Sequence, residues 1–181
     1  MFIEGRRKKN GPGRTCAALL LYIILMRDEA VLLSDLEIIL PVTERTLFRY
    51  LNDLRRLLPE EHLCLTDRDG RKTIYSDTLS FWDHSLYPPA ASSCPKDAQL
   101  THLARLIELW RLLEKKIPYF YRMWMEDSYE DEEEEEDFPS ASQIMIWAKE
   151  AGLPPVSRRT MQRDIKEILL AMNLYAEIGY M

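Results

Sequence analysis

Two segments of this chain lie on one another without a gap. VTERTLFRYLNDL (42–54) matches VSRRTMQRDIKEI (156–168) at a constant offset of 114 residues. Val42 meets Val156, Arg45 meets Arg159, Thr46 meets Thr160 and Arg49 meets Arg163. Leu47, Leu51 and Leu54 meet Met161, Ile165 and Ile168, so both copies carry one apolar stripe at helical spacing. In each copy an amphipathic segment and a proline-containing turn come first, and a longer apolar segment lies further upstream. Such a duplication constrains the chain to two related units in tandem.

The length of 181 residues suits that plan, since it allows one large domain or two small ones. The expected division is a flexible basic arm at 1–14, a first unit at 15–86, a linker at 87–97 and a second unit at 98–181. Pro88, Pro89 and Pro95 mark the linker. The arm holds four consecutive basic residues, Arg6 to Lys9, followed by Gly11, Pro12 and Gly13. The run Cys16 to Met26, CAALLLYIILM, is unbroken and apolar. It is too short for a membrane span, which needs roughly 18 residues. Arg27, Asp28 and Glu29 follow it instead of a small-residue cleavage site, so it reads as a buried helix rather than a secretory signal.

Between the two landmarks Ser34 can cap a short helix at Asp35 to Ile39, and Pro41 stops it. Thr43 can cap the next helix, whose polar side carries Glu44, Arg45, Phe48, Arg49 and Asn52. Leu63 to Leu65 and Thr73 to Tyr75 favour strands, and Asp69-Gly70 between them is a hairpin turn. Two helices, a tight turn and a ribbon describe a winged helix. A further helix is expected from Ala98 to about Lys116. At the end of the chain LYAEIGYM leaves room for one strand or a small second hairpin. The fold class expected is therefore mainly α with small β-hairpins, a tandem winged helix-turn-helix.

VSRRTMQRDIKEIL resembles the opening of the DNA-reading helix in DeoR-type and WYL-type bacterial transcriptional regulators. Val156, Ser157, Arg159, Thr160, Met161, Arg163, Asp164 and Ile165 fit that pattern. VTERTLFRYLNDL fits it less well, with Tyr50 where the aspartate belongs. The resemblance does not extend to a WYL-type sensor domain, so it implies DNA contact and not ligand sensing.

The residue chemistry points the same way. A helix in the major groove reads base edges through side chains near its N-terminus, and arginine matches guanine O6 and N7 together. The second copy offers Arg158 and Gln162 for base contact, and Arg159, Arg163 and Lys166 for phosphates. Ser157 can cap the helix and donate to a phosphate, and Asp164 can hold Arg163 or another arginine. The first copy offers Thr43, Arg45, Arg49 and Asn52, or else a protein contact through Phe48 and Tyr50. The ribbon adds Arg71 and Lys72 beside Arg68.

Charge does not oppose a nucleic-acid partner. The net charge is −6, yet Glu126 to Asp137 alone carry ten acidic groups, and the rest of the chain sums to +4. That acidic run reads as a solvated insertion at 126–137, with competition for the arginine-rich helix as the sharper reading. The aromatic segment 119–125 reads as core, or as the surface of a homodimer or protein partner. The three cysteines show no disulfide or metal spacing, the histidines stand far apart, and no phosphate-binding glycine loop occurs. Neither catalysis, a metal nor another cofactor is expected. The expected function is a sequence-specific double-stranded DNA-binding regulator, cytoplasmic and nucleoid-associated, with no membrane partner. The alternative is a tandem winged-helix interaction or structural subunit without direct DNA readout.

Overall fold

An apolar run without a polar side is stable only where it is covered on every side. In the computed structural model, which describes residues 13–27, 31–40, 42–58, 63–68, 71–76, 86, 94–117, 120 and 138–179, that run becomes α1 (Arg14–Arg27). Every residue from Cys16 to Leu25 is at most 3% exposed. The elements that follow are β1 (Val31–Leu32), α2 (Leu33–Ile39), α3 (Glu44–Leu57), β2 (Leu63–Arg68) and β3 (Arg71–Ser76). Then come α4 (Pro95–Lys116), α5 (Ala141–Glu150) and α6 (Arg158–Gly179). The protein is mainly helical. α1 packs against α6, α3 and α4, and β3 also touches it.

The segments 15–86 and 98–181 share one hydrophobic core. Leu47, Leu51 and Leu54 of α3, Leu103, Ile107, Trp110 and Leu113 of α4, and Met161, Ile165, Ile168 and Met172 of α6 join α1 in a single cluster of buried side chains. Each large aliphatic side chain so buried contributes roughly 1.5–3 kcal/mol. Tyr22 of α1 meets Trp110 of α4 edge-to-face at 5.9 Å between ring centroids. The Trp110 indole N–H points at Met172 Sδ of α6, 3.2 Å away. Arg111 Nε donates to the Tyr22 hydroxyl at 2.9 Å, and its guanidinium lies 5.7 Å from the same ring centroid. Burial pushes the Tyr22 phenol up to about 12 against the pull of Arg111, so it stays uncharged.

Local chemistry sets most element ends. Thr43 Oγ1 accepts from the Thr46 amide, and Ser140 Oγ accepts from the Gln143 amide. α5 ends in a Schellman closure: the Gly152 amide donates to Lys149 O and the Leu153 amide to Ala148 O. Gly152 has φ +77°, where an L side chain would be strained.

Three ends differ from the sequence reading. α2 starts at Leu33, with Leu32 before it and no side-chain cap, so Ser34 lies inside the helix and does not cap it. Burial of Leu33 and Leu36 sets that start. α4 starts at Pro95, not Ala98, because proline is tolerated in a first helical turn. Residues 94–97 thus belong with α4, and the remainder of the 87–97 linker lies outside the described residues.

α6 continues to Gly179, so the strand or hairpin expected from LYAEIGYM does not form up to that residue. Ala171, Met172 and Tyr175 are buried and prolong the spacing of Met161, Ile165 and Ile168. One helical face therefore runs on into the core.

β2 and β3 pair antiparallel from Leu63↔Ser76 to Arg68↔Arg71, and β1 adds to the far edge of β3 with Val31 opposite Ile74. At two residues β1 is too short for any period to show in the sequence. The Asp69-Gly70 turn, the basic arm up to residue 12, and the acidic run at 126–137 lie outside the described residues.

One shared core requires one unfolding event. Urea unfolding followed by tryptophan fluorescence and by far-ultraviolet circular dichroism is expected to give a single coincident transition. Leu20→Ala is expected to lower the stability by about 2–5 kcal/mol in both probes. Two separate transitions would contradict a shared core.

Candidate nucleic-acid interface

α6 is polar on one side and apolar on the other. Met161, Asp164, Ile165, Ile168, Ala171 and Met172 are buried. Ser157 before it and Arg158, Arg159, Gln162, Arg163 and Lys166 along it are exposed. At ~100° per residue, those five helical side chains fall within an arc of about 140°. The Ser157 hydroxyl accepts from the Thr160 amide at 3.1 Å and sits 2.9 Å from the Thr160 hydroxyl.

α3 repeats the arrangement. The Thr43 and Thr46 hydroxyls lie 3.1 Å apart, in the places of Ser157 and Thr160. Thr43, Arg45, Arg49 and Asn52 are exposed. Arg45, Arg49, Asn52 and Arg56 follow i, i+4, i+7 and i+11, a single face. Arg56 reaches across to Asp97 of α4 at 3.4 Å. Among the described residues none of Arg45, Arg49, Arg158, Arg159, Arg163 and Lys166 is paired with a carboxylate.

Two expectations for the first copy need correction. Tyr50 is only 7% exposed and faces the core, so it offers no contact to a partner. Phe48 is partly buried and packed against that core. Each aromatic ring lies nearer the apolar stripe than its place in a polar sequence suggests. In the aromatic segment Phe120 is buried and tilted against Phe138, with ring centroids 6.3 Å apart. The other residues of 119–125 lie outside the described ones. Arg71 and Lys72 open β3, opposite Arg68 and Asp67 of β2. Nothing further is described of their side chains.

The azimuth of α6 is fixed by a polar cluster around Asp164, whose partner is an arginine other than Arg163. Asp164 is fully buried. Arg105 of α4 holds it with two bonds, Nε to Oδ2 at 2.7 Å and Nη2 to Oδ1 at 3.1 Å. His102 Nε2 lies 3.2 Å from Asp164 Oδ1 and 3.7 Å from Glu167 Oε1. Asp164 thus anchors Arg105, 59 residues away, rather than Arg163 beside it. Burial alone would push its carboxyl up. The hydrogen bonds from His102 and Arg105, with their charge, outweigh that and hold it below the usual carboxylate range.

In the first copy Arg14 of α1 grips Asp53 of α3 in the same two-pronged way, 2.8 Å on each prong. Asp53 aligns with Glu167 at the repeat offset. The signal that points to this cluster is faint: a histidine and an arginine three residues apart on α4, a helix that also carries Lys96, Asp97, Glu108 and Arg111. Both acid–arginine pairs link a long upstream helix to the helix that carries the exposed basic face.

Among the described residues no group of three His, Cys, Asp or Glu side chains is placed to hold a metal ion. No helix among them is long and apolar enough to cross a membrane.

Removing the Asp164 carboxylate leaves Arg105 without its partner. Asp164→Ala is expected to cost about 3 kcal/mol in urea unfolding at neutral pH. The folded carboxyl titrates below its ordinary 3.8, so its contribution is complete at neutral pH and is lost as the pH falls through that range. Wild type should therefore lose more stability than Asp164→Asn between neutral pH and about pH 3. Parallel acid limbs in the two proteins would contradict the clamp.

Comparison of the chain with protein-family models, with curated proteins and with solved structures gave no match.

Proposed function

We propose that this protein is a sequence-specific double-stranded DNA-binding regulator of transcription, acting through two helix-turn-helix units, 15–86, in which a β2–β3 ribbon follows the second helix, and 98–181, in which α6 runs on as helix to Gly179. The observation that carries the proposal is the exposed arc of α6. Four cations and Gln162 share one side of a helix, start beside a hydroxyl cap, and lack carboxylate partners among the described residues. A solvated helix of a packing module has no need for that density. Guanidinium groups suit both phosphates and the guanine edge, and the helix N-terminus adds a favourable dipole for a phosphate.

The first unit supports the reading through α2, a short turn, α3 and the β2–β3 ribbon, in the order of a winged helix. The second supports it through α5, the Gly152 turn and α6, with helix in place of a wing. On this reading the protein works in the cytoplasm, at the nucleoid. Such a protein neutralises phosphates with Arg159, Arg163 and Lys166, and its affinity falls steeply with salt.

A second reading has one observation of its own. Ile38 is 67% exposed on α2 and Ile146 is 52% exposed on α5, each on the first helix of its pair. An exposed isoleucine on each of these two helices favours a protein–protein module without direct DNA readout.

Fluorescence anisotropy of labelled duplex fragments, titrated at several salt concentrations, separates the two. Binding is expected to weaken with salt. Arg159→Ala/Arg163→Ala is expected to lower the slope of log K against log salt by about 2. Absence of binding at low salt would overturn the DNA reading and leave the interaction module.

A further inference from the structure

The two exposed helices are not equal copies. At the repeat offset Arg158 and Gln162 of α6 correspond to Glu44 and Phe48 of α3. Arg158 and Gln162 are both exposed, in the first turns of the helix. Glu44 is half-buried, and Phe48 is packed against the core. By contrast, Arg159 and Arg163 correspond to Arg45 and Arg49, and all four are exposed. The duplication has kept one flank of the helix and changed the other.

The two flanks differ in chemistry. Arginine and glutamine at the start of a groove-bound helix are base-reading side chains: the guanidinium fork fits guanine O6 and N7, and the glutamine amide fits adenine N6 and N7. Phenylalanine carries neither a hydrogen-bond donor nor an acceptor, so Phe48, packed against the core, presents no such edge. Glutamate in a first turn places a negative charge near the phosphates. Arg45 and Arg49 stand where α6 has Arg159 and Arg163, the flank assigned to phosphates, and keep its positive charge at i and i+4.

We infer that the two units divide the work: Arg158 and Gln162 of α6 determine sequence specificity, while α3 grips phosphates through Arg45 and Arg49 without reading bases. This rests on the DNA-binding reading and adds which helix is informative. The DNA target is then a single continuous motif the width of one helix footprint, flanked on one side by duplex of any sequence. Two half-sites of equal information are not needed.

Selection from a pool of duplexes carrying ~20 random base pairs tests this, with sequencing of the bound fraction. Wild type, Arg45→Ala/Arg49→Ala and Glu44→Ala are expected to enrich the same motif. Arg158→Ala/Gln162→Ala is expected to enrich none, and to lose about tenfold or more in preference for the wild-type motif over the unselected pool. Arg45→Ala/Arg49→Ala is expected to weaken binding to every sequence alike and to lower the salt slope by about 2.

Loss of part of the motif in either α3 variant would overturn the division, since α3 would then read bases. A motif unchanged in Arg158→Ala/Gln162→Ala would overturn it as well. Salt-sensitive binding with no motif in wild type would remove the specificity claim but leave DNA binding standing. No binding at all would remove both. Circular dichroism of each variant is expected to show the helical content of wild type.

Discussion

A helix with no polar face cannot lie at a surface, and α1 is such a helix. Its burial dictates where the other long helices go. α3, α4 and α6 each turn an apolar stripe toward it or toward one another. Their polar sides must then point outward, since a single stripe fixes the rotation of each helix about its own axis. The exposed arginines of α3 and α6 are therefore a consequence of a run of leucines and isoleucines far from them in sequence. The same run joins the two repeats, because α3 belongs to the first, α6 to the second, and both rest on α1.

Apolar packing tolerates some rotation of a helix, and directed bonds do not. Asp164 is a carboxylate with no access to water, which is unfavourable unless its charge is met. Arg105 and His102 meet it from α4, and the two-pronged geometry locks both distance and angle. Arg14 and Asp53 do the same between α1 and α3, closer to solvent. Each pair ties the helix that bears the exposed basic face to a helix of the core. Positioning by an acid–arginine fork recurs in both repeats, although the residues that supply it stand at different repeat positions.

Much of this fold is legible from residue patterns. The buried α1, the stripes of α3 and α6, the caps at Thr43 and Ser157 and the repeat itself rest on local periodicity and local hydrogen bonds. What periodicity does not carry is contact between distant segments. The partner of Asp164 lies 59 residues away, and no local rule connects them. The start of α2 follows from burial of Leu33, which outweighs the capping preference of Ser34. α6 overruns the expected strand because Met172 and Tyr175 meet the core, a tertiary fact that overrides β-propensity in LYAEIGYM. Of the surface residues singled out, those on α3 and α6 do lie on exposed helical faces. Phe48 and Tyr50 do not share that freedom, because a large ring near the edge of a stripe is drawn inward.

Amide hydrogen exchange of the full chain, with and without a duplex of random sequence at low salt, addresses the role of α6 most directly. Added protection over Ser157–Lys166, with the interior of α1 unchanged, is the expected result. Protection confined to α2 and α5 around Ile38 and Ile146, or none anywhere, would contradict DNA contact through the arginine face of α6.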